Sequence, residues 1–183
     1  MSTCFEVYPT NRNIPENESI TDSALKMFRD FLKFHGIETE VFAKVNILYD
    51  NITITINNTG NIYLFRIKLD DIDVEVWNDE LKTNPHAKSL ENEILQNRKI
   101  GYLWQIKRTA GQPAIVSLFY GFVAMALAKE TNGFIYSDDG AWDYKSCPTT
   151  WQKLYSEHFD IDNIKNSDVK SNVLNWINLL KRS

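Results

Sequence analysis

The sequence predicts an α+β fold: a single domain over residues 1–183 in which an antiparallel meander carries helices mainly on one face. The length of 183 residues suits one hydrophobic core. Between residues 41 and 77, apolar and polar residues alternate with a period of two, which is typical of strands. Residues 113–128 are apolar almost throughout, as in a helix buried on all sides. Because the strand segments follow one another through short connections, we expect them to pair antiparallel.

The first half of the chain supplies one strand, one helix and the meander. Residues 4–8 alternate and predict a short first strand. A helix capped by Ser19 or Thr21 is expected to run to about His35. A hairpin turn follows inside the meander, where Gly60 is expected to take a positive φ. The strands of the meander are predicted from their alternating apolar residues: Val45, Ile47 and Tyr49; Ile52, Ile54 and Ile56; Ile62 and Leu64; Ile72, Val74 and Val76.

The second half contains more helix than strand. In order, the patterns predict a short surface helix at 85–97, a strand at 102–107, the apolar helix ending at 132–133, a strand at 134–136, and amphipathic helices at 150–159 and 168–181. Small residues on the apolar helix recur at spacings of four, three and four, which predicts a stripe where another element approaches closely: Ser117, Gly121, Ala124 and Ala128.

Composition and charge exclude several classes of protein. The net charge of −4 disfavours a nucleic-acid binder, and the basic segment at 98–108 has too few aromatic residues to change that expectation. Two cysteines, Cys4 and Cys147, are too few for a disulfide framework, and we expect both to be inert packed thiols. The N-terminus has no secretory signal, and the apolar helix is shorter than the roughly 20 residues that span a bilayer. We therefore expect a cytoplasmic protein with neither a membrane nor a nucleic-acid partner.

The sequence contains no recognisable catalytic motif. A glycine-rich phosphate loop, a Rossmann fingerprint, a nucleophile elbow and a His-Glu zinc helix are all absent from it. The three histidines are isolated, and His158 with Cys147 is the one nucleophile–base pair that the residue types allow. We expect no catalytic residue, no resident metal and no cofactor, which favours a binding protein over an enzyme.

The acidity of the chain is concentrated in residues 70–80, which contain six carboxylates and no Lys or Arg. The remainder of the chain is therefore net positive by two charges. If this segment is a strand, Asp71, Asp73 and Glu75 share one face, with Trp77 as an apolar neighbour. Three interpretations remain open: a solvated strand face, an acidic surface that meets a basic partner, or a carboxylate metal site.

A second acidic segment follows the predicted strand at 134–136. It combines three carboxylates with two aromatic residues: Asp138, Asp139, Trp142, Asp143 and Tyr144. Ser-Asp-Asp-Gly is ordinary turn chemistry, so a structural turn is one interpretation. A loop that contacts a partner is the second, favoured by the aromatic residues. A metal-dependent enzyme that uses Asp138, Asp139 and Asp143 is the third, although the spacing does not match a calcium loop.

The run from residue 115 to 144, a small-residue helix followed by Thr-Asn-Gly-Phe-Ile-Tyr-Ser-Asp-Asp-Gly-Ala-Trp-Asp, resembles bacterial immunity proteins of polymorphic toxin systems. The opening Phe-Glu-Val-Tyr-Pro-Thr-Asn at residues 5–11 is similar in character. Such systems include contact-dependent growth inhibition and type VI secretion. The resemblance implies a cytoplasmic protein that binds one cognate toxin, for instance a nuclease with a basic cleft, and occludes its active site.

We expect the two acidic segments and their aromatic residues to bind this toxin: Asp71, Asp73, Glu75, Trp77, Asp138, Asp139, Trp142, Asp143 and Tyr144. A homo-oligomeric structural component is a further alternative, because aromatic residues near the C-terminus could pack against a second copy: Trp151, Tyr155 and Trp176.

Overall fold

The computed structural model describes residues 3–48, 51–137 and 146–182, which form one six-stranded antiparallel sheet and seven helices. The predicted α+β class is confirmed. In chain order the elements are β1 (Thr3–Tyr8), α1 (Asn17–Phe34), β2 (Ala43–Leu48), β3 (Asn51–Ile56), β4 (Gly60–Lys68), α2 (Asp71–Thr83), α3 (Pro85–Ser89), α4 (Glu91–Ile100), β5 (Tyr102–Arg108), α5 (Ala114–Glu130), β6 (Phe134–Ser137), α6 (Trp151–His158) and α7 (Ser167–Leu180).

The sheet has the strand order β2-β3-β4-β5-β1-β6. Strands β2, β3 and β4 correspond to three strands of the predicted meander, and β5 pairs with β4 where the prediction had a strand at 72–76; each strand pairs antiparallel with the next. Strand β1 adds to β5, with Phe5 opposite Ile106, and β6 adds to β1, with Ile135 opposite Val7. Strand β1 is therefore enclosed between β5 and β6, the last two strands in the described part of the chain.

Helices α1, α5, α6 and α7 lie on one face of the sheet, as predicted for the larger set of helices. Every residue of α5 from Ile115 to Ala128 is buried, because the helix contacts the sheet on one side and α1, α6 and α7 elsewhere. This explains why its sequence is apolar all round. Gly121 lies against the ring of Phe159: a Cβ atom at Gly121 would overlap Phe159 Cζ. In the described part of the chain, no helix is long and apolar enough to cross a membrane.

Helices α2, α3 and α4 are inserted between β4 and β5 and cover part of the opposite face. Successive residues of a strand point to opposite faces of the sheet. Val7 and Ile135 therefore belong to the main core under α5, while their neighbours Tyr8 and Phe134 belong to a second apolar cluster on the opposite face. The backbone N–H of Leu69 donates to the carbonyl of Gly101 at 3.0 Å, so the two ends of the insertion are adjacent. The three helices are thus inserted into the connection of a hairpin, and its strands β4 and β5 still pair with each other.

The predicted strand around Ile72, Val74 and Val76 is wrong, because these residues belong to helix α2. Asp70 is the N-cap residue of α2. Its side chain accepts from the Asp73 N–H at 3.0 Å, and the side chain of Asp73 accepts from the Asp70 N–H at 2.8 Å. This reciprocal capping satisfies N–H groups that the first turn leaves without partners. Asp71, Asp73 and Glu75 consequently do not share one face of a strand.

The turn between β3 and β4 also differs from the prediction in its backbone. Asn57 and Asn58 have positive φ values of 47° and 53°, whereas Gly60 is not in the left-handed region. Glycine is required at position 60 for another reason: a Cβ atom there would meet the side chain of Gln112 and lie 2.8 Å from Val116 Cγ2. The predicted turn is present, and its glycine lets the start of α5 approach the sheet.

Candidate functional site

Trp77 holds helix α2 against the sheet. Its side chain is 3% exposed, and its ring makes edge contacts with Tyr8, at 5.0 Å between centroids, and with Phe134, at 5.4 Å. Aromatic pairs at these distances favour edge-to-face geometry. Trp77 was expected to be an apolar anchor for a partner; its burial corrects that expectation, since it anchors α2 within the protein itself.

The opposite side of α2 faces solvent and carries both acidic and aliphatic side chains. We define the acidic face as five exposed residues of this helix: Asp71, Ile72, Glu75, Val76 and Asp79. Ile72 is 69% exposed and Val76 is 52% exposed, although both are large apolar residues. Because the two are one helical turn apart, they form a short apolar strip beside the carboxylates.

The carboxylates of the acidic face are spaced so that they repel one another. Asp71, Glu75 and Asp79 are each four residues apart, and like charges at that spacing destabilise a helix by roughly 0.2–0.5 kcal/mol per pair. Asp79 makes one ion pair with Lys82 at 2.9 Å, and both side chains remain largely exposed. Asp73 is half-buried and serves in the cap, so it lies away from this row. Asp71 lies in the first turn of α2, where the helix dipole favours a negative charge, so the folded chain offsets part of the repulsion at Asp71 and Asp79 but none at Glu75 among the described contacts.

A further carboxylate, which the sequence did not single out, lies beneath α2. The hydroxyl of Tyr8 donates to Glu6 Oε2 at 2.8 Å, and Gln105 Nε2 donates to Glu6 Oε1 at 3.3 Å. Burial raises the pKa of Tyr8 well above its usual value, and the negative charges of Glu6 and Asp73 raise it further. Glu6 and Asp73 therefore both act on the buried Tyr8, while the guanidinium of Arg98 donates to the carbonyl of Val74 in α2 at 3.3 Å.

The second predicted acidic segment lies outside the described residues, and this includes Asp138, Asp139, Trp142, Asp143 and Tyr144. The described residues on either side of it contact α2 or its C-terminal cap. The ring of Tyr136 is 6.0 Å from that of Trp77, and Asn84 Nδ2 donates to the carbonyl of Cys147 at 2.9 Å. Tyr136 and Cys147, the described residues on either side, therefore both lie near α2.

The predicted nucleophile–base pair lies in the interior. Cys147 is 2% exposed and His158 is 1% exposed. A cavity of about 160 Å³ lies beside His158 and is lined by polar side chains, among them Glu157 and Lys165. Cys4, at 6% exposed, is also buried. Both thiols are therefore shielded from solvent, in line with the expectation of inert packing.

The metal-site prediction rests on Asp138, Asp139 and Asp143, which lie outside the described residues, and the aromatic residues that suggested an oligomer pack partly within the chain. Across residues 3–48, 51–137 and 146–182, no group of three or more His, Cys, Asp or Glu side chains could hold a metal ion. The aromatic residues near the C-terminus are half-buried within the chain. Tyr155 packs on Phe122 and Phe159, and Trp151 lies under the ammonium group of Lys129 at 5.8 Å.

Comparison with known proteins gives no match: no family model, no curated protein and no solved structure is similar to this chain. The function must therefore be argued from the chemistry of the acidic face.

Proposed function

We propose that this chain is a cytoplasmic immunity protein that binds a cognate toxin domain through the acidic face of α2 and occludes the active site of that toxin. The observation that carries the proposal is the exposed row of Asp71, Glu75 and Asp79 beside the apolar strip of Ile72 and Val76. The row weakens the helix that bears it, and a helix selected for stability alone would alternate its charges. A basic partner would convert this repulsion into attraction.

The mechanism requires binding and no chemical step. Carboxylates on a rigid helix would occupy a basic cleft such as a nuclease uses for phosphate groups, while Ile72 and Val76 fill an apolar depression within it. Trp77 fixes the position of the helix, so little conformational entropy is lost when the partner binds.

Association through this face should depend strongly on salt. Opposite charges on two proteins accelerate their encounter, and this steering weakens as ionic strength screens the charges. The apolar strip acts at shorter range and chiefly slows dissociation. Salt should therefore reduce the association rate constant much more than it raises the dissociation rate constant.

The test is to express the products of the neighbouring genes, to identify among them a toxin domain that this chain binds, and to measure binding and growth protection against that domain. Glu75→Lys and Ile72→Asp should each weaken the complex by about a hundredfold, as expected for central residues of an interface, and should abolish protection. Glu38→Lys and Leu179→Asp make the same changes at exposed positions outside α2 and should have no effect.

Two results would reject the proposal. One is full growth protection by Glu75→Lys and Ile72→Asp when both variants are folded and expressed normally. The other is equal binding of the wild-type chain to unrelated basic proteins of similar charge, because an immunity protein discriminates its cognate toxin from these.

A further inference from the structure

The two edge strands of the sheet, β6 and β2, differ in whether a further segment pairs with them. Beyond β6, Ile135 and Thr149 exchange two backbone hydrogen bonds at 2.8 and 2.9 Å, so a further segment covers part of that edge. At the other end, β2 pairs with β3 alone among the described strands. Four of the six residues of β2 are exposed and two are half-buried. An uncovered edge of this kind presents backbone donors and acceptors to other chains.

The backbone groups that face outward from β2 can be identified. The carbonyl of Phe42 accepts from the N–H of Asn57 at 3.0 Å, so Phe42 points its backbone groups towards β3. In an antiparallel pair this direction alternates with each residue. The N–H and C=O groups of Ala43, Val45 and Ile47 therefore point away from the sheet. The side chains of Ala43 and Val45 still pack against the main core.

The side chains of this edge are mostly apolar. Ile47 is 56% exposed and Leu48 is 64% exposed, and Phe42, which precedes the strand, is 39% exposed. Lys44 is the one charged residue of β2, and the strand contains no proline. Natural edge strands usually carry charges, proline or bulges that prevent pairing. Apart from Lys44, β2 lacks them.

We propose that two copies of this chain form a dimer by antiparallel pairing of their β2 strands, with Val45 opposite Val45 of the second copy. This register gives each outward-facing N–H and C=O of Ala43, Val45 and Ile47 a partner, because Ala43 then lies opposite the second copy's Ile47. The two sheets join into one continuous sheet, and the twofold axis passes between the two valines.

The sequence of β2 is complementary to itself in this register. On the side of the main core, the small Ala43 lies opposite the large Ile47. On the other side, Phe42 lies opposite Leu48, so the exposed apolar side chains cover each other. Lys44 lies opposite the neutral Asn46, which avoids a like-charge pair. A six-residue strand pair buries less surface than the roughly 1,200–2,000 Å² of a standard stable interface, so the dimer should be reversible at about micromolar concentration.

The first experiment is sedimentation of the purified chain over a range of concentrations. The mass should rise from 21.3 kDa towards twice that value. Ile47→Lys places a charge at the interface and should raise the dimer dissociation constant by at least about tenfold. Val45→Pro removes an outward N–H without disturbing the pairing of β2 with β3, and should have the same effect. Leu179→Lys, an equivalent change at an exposed leucine of α7, should leave the dimer intact.

The second experiment tests the register through disulfide formation. Val45→Cys places two cysteines across the twofold axis and should cross-link the dimer under mild oxidation. Asn46→Cys should cross-link much less, because the second copy's Lys44 lies opposite it. Faster cross-linking at position 46 than at position 45 would overturn the register.

A purified chain that remains monomeric up to about 500 µM, well above the expected dissociation constant, would overturn the dimer. If such a monomer bound its toxin less tightly after Ile47→Lys, the edge would instead accept a strand of the toxin. The sedimentation and cross-linking experiments use the chain without a toxin and leave the acidic face intact, so the dimer and the proposed immunity function can fail separately.

Discussion

Helices α5 and α2 lie on opposite faces of the sheet and differ in how much of their surface is buried. In α5 the residues from Ile115 to Ala128 are all buried, whereas in α2 the one fully buried side chain is that of Trp77. Packing therefore constrains nearly every residue of α5, while a single aromatic ring positions α2 and leaves most of its surface free. The comparison indicates that α5 stabilises the fold and that α2 presents a surface.

The strongest test of this contrast is Phe122→Ala in α5. Phe122 is fully buried and packs on Phe28, Phe31 and Phe159 at centroid distances of 5.1, 5.3 and 4.7 Å. Its removal should lower the free energy of unfolding by about 3–5 kcal/mol, because a cavity remains among rigid rings. Urea denaturation measures this loss. A loss below about 1 kcal/mol would show that α5 is not the centre of the core.

Trp77→Ala should have a smaller and more local effect. We expect a loss of about 2–3 kcal/mol, because the second cluster borders solvent and can partly collapse into the space left by the ring. Amide hydrogen exchange should accelerate throughout α2 and remain unchanged in α5. Equal acceleration in both helices would show that the two faces of the sheet unfold as one cooperative unit, contrary to the comparison.

Alkaline pH should destabilise the folded chain, in part through Tyr8 on the α2 side of the sheet. Tyr8 has a pKa raised above its usual 10.0, mainly by burial, so the folded chain keeps the phenolic proton while the unfolded chain releases it above that pH. The free energy of unfolding should therefore fall as pH rises beyond about 10. Tyr8→Phe cannot titrate, and its stability should depend less on pH in this range. Identical pH profiles for both proteins would contradict the assignment.

The smallest expected effect is a gain in stability. Glu75→Lys replaces two like-charge pairs, with Asp71 and Asp79, by two opposite-charge pairs at helical spacing. We expect the free energy of unfolding to rise by about 0.5–1 kcal/mol at low salt, and the gain to disappear at high salt. Thermal denaturation at two ionic strengths measures this. A loss of stability would show that the row of carboxylates has a structural role within the chain.

The same contrast explains which features could be predicted from the sequence. Helix α5 and the amphipathic α7 were predicted because burial imposes a pattern on many consecutive residues. Helix α2 was predicted as a strand because Asp-Ile-Asp-Val-Glu-Val alternates, and one buried residue, Trp77, is too little to reveal a helical period. The spacing of Asp70 and Asp73 was the local signal for a helix start, since acidic side chains can cap reciprocally.

Asp71 and Glu75 are exposed, but the sequence pattern predicted a strand where the structure has helix α2. Their role in binding a partner stays a prediction. The role of Glu6 depends on Tyr8 and Gln105, and the latter pairs with it across strands that are distant in sequence. The position of β2 at the edge of the sheet likewise depends on the order of the strands, which the alternating apolar pattern of β2 does not specify. Long-range pairing therefore limited the prediction.

The insertion between β4 and β5 gives the protein a replaceable part. Leu69 and Gly101 are joined by a backbone hydrogen bond, so a two-residue turn could close the hairpin in place of three helices. Variation in residues 70–100 would leave the register of the sheet unchanged, provided that an apolar group still covers Tyr8 and Phe134. Replacement of residues 70–100 could thus give the protein a new binding partner, while the remaining residues fold as before.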